Sequence, residues 1–242
     1  ADTGAVTLSM PQDVQAEAYD FPVELFEKRV WPIGRPRPDK TALLRAADWI
    51  RSARKPMIIA GGGVIYSEAE AILRSFVHKT GIPVGETFVG KGSLAWDDPH
   101  NLGATGATGT EGANAISTQA DLVIGIGTRY SDFTTASKTA FQNKNVRFIN
   151  INIAGFDSHK HSALALTGDA RVVLEELSEE LNAYSVDKDY RKRVAAYNKS
   201  WHEKATRSYE VEQNDVPSQA EVIGAVNNFA VPKDVALCAS RS

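Results

Sequence analysis

The chain has 242 residues and a formal net charge of −3 at pH 7, with 43% hydrophobic and 24% charged residues. This globular composition allows one large α/β domain with flanking pieces or two small domains, and the charge gives no electrostatic reason to expect nucleic acid or a membrane as a partner. A single cysteine, Cys238, excludes an internal disulfide framework and favours a reducing, cytoplasmic location, and no apolar run approaches the ~20 residues that cross a bilayer.

The first 38 residues contain one candidate strand and many helix and strand breakers. Residues 6–10 are apolar and predict a short strand that ends at Pro11, but no partner strand follows nearby. We interpret this strand as the end of another domain, followed by a proline-rich linker; the alternative is a tail that wraps the next domain. Because the chain begins at Ala1 rather than at a methionine, we expect a processed or excised piece.

From residue 39 onward, apolar strands alternate with amphipathic helices. Strands are predicted over residues 57–60, 82–85, 122–126, 146–153 and 164–166, and a last one over residues 235–238 near the end of the chain. Strands of this kind indicate an α/β fold, a doubly wound, Rossmann-like parallel sheet covered on both faces, with binding loops at the carboxyl ends of its strands. We expect the first four strands to be parallel and central.

Helix boundaries are marked by caps and stops. Ser67 with Glu70, and Ser218 with Glu221, have the spacing of capping boxes, and Gly81 is expected to end the helix that the first pair begins. The charged residues 187–207 predict an exposed helix.

The first glycine corner follows strand 57–60 and consists of Gly61, Gly62 and Gly63. Glycines at the start of a helix allow an anion to approach the free N–H groups. Tyr66 occupies the third glycine position of the dinucleotide fingerprint, which is therefore broken, although Glu86 ends the next strand where such folds place a ribose-binding acid. Nucleotide binding and a simple packing turn both remain open.

Two further corners are candidates for ligand contact. Gly106 and Gly109 belong to a glycine- and threonine-rich stretch that either admits a ring or another backbone, or forms a flexible loop. The third corner is Gly127 with Thr128, after strand 122–126. Arg129, which follows them, is able to bind a phosphate in bidentate fashion; the alternative is an ion pair with Asp132.

Catalytic motifs are absent from the sequence. The five histidines are scattered without ligand-spaced partners, and His159 with His161 is typical of a loop surface rather than of a metal site. There is neither a nucleophile elbow nor a phosphate loop. We therefore predict no catalytic residue and no metal ligand.

The order of several motifs is that of a known family. The stretches are "PQDVQ", "PMIIAGGGVIYSEA", "GIPVGETFVGKGSLAWDDPHNLGATGATGTEGAN", "ADLVIGIGTRYSDF" and "RFININ". This order resembles thiamine-diphosphate-dependent enzymes of the acetohydroxyacid synthase and pyruvate oxidase superfamily. The resemblance implies the end of a pyrimidine-binding domain (residues 1–18), a linker (19–38), a Rossmann-like central domain (39–183), a helical linker (184–230) and the start of a pyrophosphate-binding domain (231–242).

Within the superfamily, "TRYSDFTTASKTAF" and "ININIAGFDSHKH" are most similar to the trihydroxycyclohexane-1,2-dione hydrolases of inositol breakdown. The resemblance implies a homo-oligomer, a dimer or tetramer formed through the other domains, that uses thiamine diphosphate and Mg²⁺ to cleave a C–C bond of a small cyclic 1,2-diketone. The family's activating glutamate and metal motif are expected outside this chain, which should be inactive alone. Malonic semialdehyde oxidative decarboxylase, an acetolactate synthase-like enzyme, a stand-alone nucleotide-binding module and an NAD-dependent deacylase are the alternatives.

Some relatives bind FAD or ADP on the central domain. The positions that match their site are Gly61, Gly62, Gly63, Gly106, Gly109, Arg129 and Asn152. Two departures weaken this match, since Thr108 replaces a frequent histidine and Asn152 replaces the aspartate that holds a ribose. We therefore expect no obligatory nucleotide, and we expect Asn152→Asp to strengthen ADP or FAD binding.

Overall fold

The structure is a computed structural model that describes residues 7–30, 32–210, 216–231 and 233–234. The chain divides into two compact units, Ala1–Arg35 and Pro36–Ser242. The strand predicted over residues 235–238 lies outside the described residues.

The first unit contains helix α1, Gln12–Gln15, and a 3₁₀ turn, Val23–Phe26. Residues 7–10 are not a strand, so the strand predicted over residues 6–10 is wrong for its described part, and Val6 lies outside that part. The physical reason is that a strand needs a neighbour to satisfy its backbone groups, and the described residues of this unit provide none.

The second unit is built on a six-stranded sheet in which every pairing is parallel. The strands are β1 Pro56–Ala60, β2 Val84–Glu86, β3 Asn101–Ala104, β4 Leu122–Ile126, β5 Arg147–Asn152 and β6 Leu164–Thr167. Their order is β3-β2-β1-β4-β5-β6, so the four strands predicted to be central occupy the four central positions. The doubly wound α/β fold is confirmed. Strand β3, which the sequence analysis did not predict, forms one edge.

Nine α-helices of the described residues belong to this unit. They are α2 Lys40–Ser52, α3 Gly62–Tyr66, α4 Glu70–Thr80, α5 Glu111–Gln119, α6 Asp132–Thr135, α7 Gly155–Ser158, α8 Ala170–Glu180, α9 Lys188–Ser208 and α10 Gln219–Phe229. The longer ones bury one stripe: α2 buries Leu43, Ala47 and Ile50, which recur at helical spacing. Helix α9 is largely exposed, as predicted, but buries a stripe that begins at Tyr190 and continues through Val194.

The core lies on both faces of strands β1 and β4, in which every residue is buried. Ile58, Ile59, Ile124 and Ile126 are at most 1% exposed. Each such side chain stabilises the fold by about 1.5–3 kcal/mol relative to exposure to water. This core holds the two strands whose carboxyl ends carry the first and third glycine corners.

One predicted cap is wrong and one is confirmed. Ser67 ends helix α3 instead of beginning α4, whose N-cap is Ala69 without a side-chain cap. The reason is that residues 62–66 are already helical, so the N–H of Ser67 donates to the carbonyl of Gly63. Ser218 and Glu221 do form a capping box.

Candidate functional site

The first and third glycine corners close on each other at the carboxyl edge of the sheet. The N–H of Gly61 donates to Ile126 O at 2.8 Å, and the N–H of Gly63 donates to Gly127 O at 3.1 Å. The direction of winding reverses between β1 and β4, where doubly wound sheets usually bind ligands. At this switch point the two backbones lie in direct contact.

Glycine is required here because the space between the corners admits no side chain. A Cβ atom at Gly63 would lie 2.5 Å from Gly127 Cα, and one at Gly61 would overlap the carbonyl of Gly127. Gly127 itself has φ +60°, in the left-handed region. The N–H of Val64 also donates inside the protein, to Gly61 O at 3.1 Å. Close packing therefore accounts for the "AGGG" motif.

The second glycine stretch is held by another backbone segment and by an asparagine. Gly106 has φ +104°, and a Cβ there would overlap the carbonyl of Phe133. Asn114 clamps the turn, because its Oδ1 accepts from Gly106 N and its Nδ2 donates to Gly106 O, both at 2.9 Å. The N–H of Gly109 donates to the same carbonyl at 2.9 Å. Of the predicted alternatives, the structure shows close approach by a backbone.

Arg129 is exposed at the third corner, beyond the end of β4. Its carbonyl accepts a hydrogen bond from Lys160 Nζ at 2.8 Å. Arg129 and Asp132 are both described, and no ion pair joins them. Among the seven residues predicted to bind a nucleotide, Arg129 is the one that presents an exposed charged side chain.

Asn152 ends β5 and is buried. Its Nδ2 donates to Thr128 O at 3.1 Å, and its Oδ1 accepts from Ala154 N at 3.0 Å. The amide therefore braces the third corner against the turn that follows β5. An aspartate has no donor for the Thr128 carbonyl, so the amide is chemically suited to this bracing role.

Glu86 ends β2 and is also buried. Its Oε1 accepts from the N–H groups of Gly92 at 3.1 Å and Leu94 at 3.2 Å. Burial raises the pKa of Glu86, against the opposing effect of these hydrogen bonds. The carboxyl group predicted to hold a ribose thus organises the loop that returns to β3.

His159 and His161 are exposed, as predicted, and do not form a shared site, whereas three other residues do converge. His159 Nδ1 lies 2.8 Å from Gly155 O, and the ring of His161 stacks on Phe148 with centroids 4.7 Å apart. In contrast, Asp98 lies between His78 and His100 at the amino edge of the sheet. This group was not predicted from the sequence, in which the spacing of Asp98 and His100 was the available signal.

Two buried acids, Glu86 and Asp98, do not suit thiamine diphosphate, the cofactor that the sequence resemblance implies together with an activating carboxylate and a metal-bound diphosphate. Glu86 is engaged by backbone N–H groups, and Asp98 is engaged by two imidazoles at the opposite edge. These two acids therefore do not fit that cofactor, and we derive no catalytic step through it. Separately, no helix of the described residues has the length and apolar character of a membrane span.

Comparison with known proteins places the chain in a family. The family model for the thiamine pyrophosphate enzyme central domain matches residues 43–177. A 3D-(3,5/4)-trihydroxycyclohexane-1,2-dione hydrolase of Clostridium tetani is 44% identical over 224 residues, covering 93% of this chain and 35% of that protein. One of Bacillus cereus is 46% identical over 211 residues, covering 87% of this chain and 33% of that protein.

The chain thus spans about a third of the length of the curated relatives it matches. A Mycobacterium smegmatis X-ray structure, assigned as a thiamin diphosphate-dependent enzyme, has the same fold with a TM-score of 0.53 and 23% identity, over 66% of this chain and 30% of that one. The resemblance drawn from the sequence motifs is confirmed. The chain belongs to the family of thiamine pyrophosphate enzyme central domains.

Proposed function

We propose that this chain is the central part of a thiamine-diphosphate-dependent hydrolase that opens the ring of a trihydroxycyclohexane-1,2-dione during inositol breakdown. The observation that carries the proposal is the 44% identity to the Clostridium tetani hydrolase over 93% of this chain. That similarity extends well beyond the central-domain match at residues 43–177 into the flanking segments. A resemblance limited to a common fold of residues 43–177 would not extend over so much of the chain.

The proposed role of this part is to hold the rest of the enzyme in place. The interlocked corners, with Gly63 N–H on Gly127 O and Asn152 on Thr128 O, support a rigid carboxyl edge rather than an open nucleotide cleft. Thiamine diphosphate and Mg²⁺ would bind to other parts of a cytoplasmic homo-oligomer. The domain boundaries given above, with the central domain at 39–183, belong to the same proposal.

A chimera tests the structural half of this proposal. The matching segment of the Clostridium tetani hydrolase is replaced by residues 1–242, and ring opening of the cyclic diketone is measured. We expect activity to be retained, because nearly half of the residues are identical across the exchanged segment. A control chimera carries the central segment of an acetolactate synthase and should lose activity. A folded test chimera as inactive as this control would contradict the proposal.

The isolated chain provides a second measurement. Calorimetric titration of residues 1–242 with thiamine diphosphate and Mg²⁺ should show no binding, since the buried acids Glu86 and Asp98 are engaged by other groups and the family's activating glutamate and metal motif are expected outside this chain. Micromolar binding would contradict the assignment of the cofactor to other parts of the enzyme. The substrate is tested on the longer protein, which should open the cyclic diketone; turnover of malonic semialdehyde alone would overturn that assignment.

A further inference from the structure

We propose that His78, Asp98 and His100 form a binding site for a divalent transition-metal ion, with Zn²⁺ as the best match. We name these three residues the His–Asp–His cluster. His78 lies in the last turn of α4, and the other two lie in the loop that leads into β3. The cluster is at the amino edge of the sheet, so the inference is independent of the glycine corners and of the proposed function.

The distances in the cluster are close to those of a metal's ligand sphere. His78 Nε2 lies 2.8 Å from Asp98 Oδ2, and His100 Nδ1 lies 3.2 Å from Asp98 Oδ1. One ligand atom from each residue can be chosen so that all three lie within 4.8 Å of one another. Tetrahedral ligands with bonds of about 2.0–2.1 Å to zinc are separated by about 3.3 Å. Small side-chain movements therefore suffice to enclose an ion.

The loop holds two of the three ligands in place before any ion binds. Asp98 Oδ1 accepts from His100 N at 2.9 Å, and the carbonyl of Asp98 accepts from Asn101 N at 2.9 Å. Asn198, on α9, donates from Nδ2 to Pro99 O at 3.1 Å and fixes the loop from outside. Such supporting hydrogen bonds orient ligands and raise metal affinity.

Burial and exposure are divided in the way that a metal site requires. The Asp98 side chain is 3% exposed and the His100 side chain 16%, whereas the His78 side chain is 43% exposed. The buried carboxylate gains from a nearby cation, because its own hydration is lost. The exposed imidazole leaves an entry path and room for a water molecule as fourth ligand, the arrangement of open zinc sites.

The chemistry of the three groups selects the ion. Two imidazoles with one carboxylate suit zinc and its neighbours in the first transition series, whereas Mg²⁺ and Ca²⁺ prefer sites made of oxygen ligands.

Two arginines oppose a bound cation. Arg74 Nε lies 3.8 Å from Asp98 Oδ2, with a side chain that is 69% exposed, and Arg191 acts electrostatically on His100. Because Arg74 is mostly in water, it is free to turn away when an ion arrives. Its removal should therefore strengthen metal binding, whereas a purely hydrogen-bonded cluster predicts no such gain.

The experiment is a titration of the tag-free 242-residue chain with Zn²⁺ by calorimetry, with Co²⁺ absorption as a report of ligand geometry. We expect one site. His78→Ala should weaken binding by more than ~100-fold, since even changes outside the ligand sphere cost ~10–100-fold. Arg74→Ala should tighten it about 5-fold, as expected for one unit charge in partly screened contact. His159→Ala, an exposed histidine outside the cluster, is the matched control and should change nothing.

Asp98→Asn provides a second variant that keeps the shape of the side chain but removes its charge, and circular dichroism checks that each variant is folded. Loss of the Co²⁺ spectrum in folded Asp98→Asn and His78→Ala supports the site. Absence of saturable Zn²⁺ binding at submillimolar concentration, equal losses in His159→Ala, or equally strong binding of Mg²⁺ would overturn it and leave the cluster as a hydrogen-bonded brace.

Discussion

Glu86 and Asp98 are two buried acids, 6% and 5% exposed, that lie toward opposite edges of the same sheet. Glu86, at the carboxyl edge, accepts hydrogen bonds from backbone N–H groups, and burial raises its pKa. For Asp98, at the amino edge, burial would also raise the pKa, but hydrogen bonds from His78 and His100 hold it below its usual value. The carboxyl edge is thus organised by neutral backbone groups, and the amino edge by ionisable side chains.

The largest expected effect tests whether backbone contact closes the carboxyl edge. Gly127→Ala should lower the free energy of unfolding by about 2–5 kcal/mol, for two reasons. The new Cβ would overlap Gly63, and a residue with a side chain is strained at the left-handed φ of this position. Urea denaturation measures the change.

Alanine substitutions at two other glycines distinguish the effect of backbone strain from that of overlap. Gly92 has φ +94°, and a Cβ added there would meet no atom within 4 Å. In Gly92→Ala, backbone strain alone should therefore lower the free energy of unfolding by about 1–2 kcal/mol. Gly155→Ala meets no atom within 4 Å and should remain within about 0.5 kcal/mol of the parent chain. If Gly127→Ala is as stable as Gly155→Ala, the two corners do not depend on close contact.

Asn152→Asp sharpens the comparison by placing an ionisable group among the neutral ones of the carboxyl edge. The carboxylate would face the Thr128 carbonyl without a donor, at a cost of about 1–3 kcal/mol at neutral pH. The deficit should shrink on acidification, because a protonated aspartate regains a donor. Denaturation at several pH values checks this, with Asn145→Asp, at an exposed position, as control.

The same variant also tests the sequence-based expectation that an aspartate at residue 152 strengthens ADP or FAD binding. Titration of the parent chain and of Asn152→Asp with ADP and with FAD measures this directly.

In the denaturation experiment, an Asn152→Asp variant as stable as the parent chain at every pH would show that the Asn152 amide does not brace the corner.

The smallest expected effect is the pH dependence of the stability that the two buried acids contribute. Stability contributed by Asp98 is present above the ordinary aspartate pKa and is lost as the pH falls through its lowered folded value. Glu86 has the opposite sign, since its raised folded pKa lowers stability as the pH rises from the ordinary glutamate value through the folded one.

Unfolding between about pH 3 and pH 8 measures both. As the pH rises, the free energy of unfolding of Glu86→Gln should increase relative to that of the parent chain, whereas that of Asp98→Asn should decrease. If the free energies of unfolding of the two variants change with pH in the same way, the two buried acids do not differ as described, and the comparison of the edges fails.

Much of the fold was predictable from local pattern. Continuous apolar runs predicted β1, β4 and β5, and their alternation with amphipathic helices implied parallel pairing. Strand β3 was missed because it is short, begins with Asn101 and contains Gly103, so that it lacks an apolar run. The capping box at Ser67 failed because the preceding residues were already helical, which spacing alone does not reveal.

The sequence by itself determined the elements, the class of sheet and the family, because hydrophobic periodicity and motif order are properties of neighbouring residues. Only the tertiary structure decided how distant residues meet: that Gly63 lies against Gly127, that Asn152 supports Thr128, and that His78 reaches Asp98. The physical reason is that parallel strands bring their ends together through crossovers, so contacts at an edge join residues that are far apart along the chain.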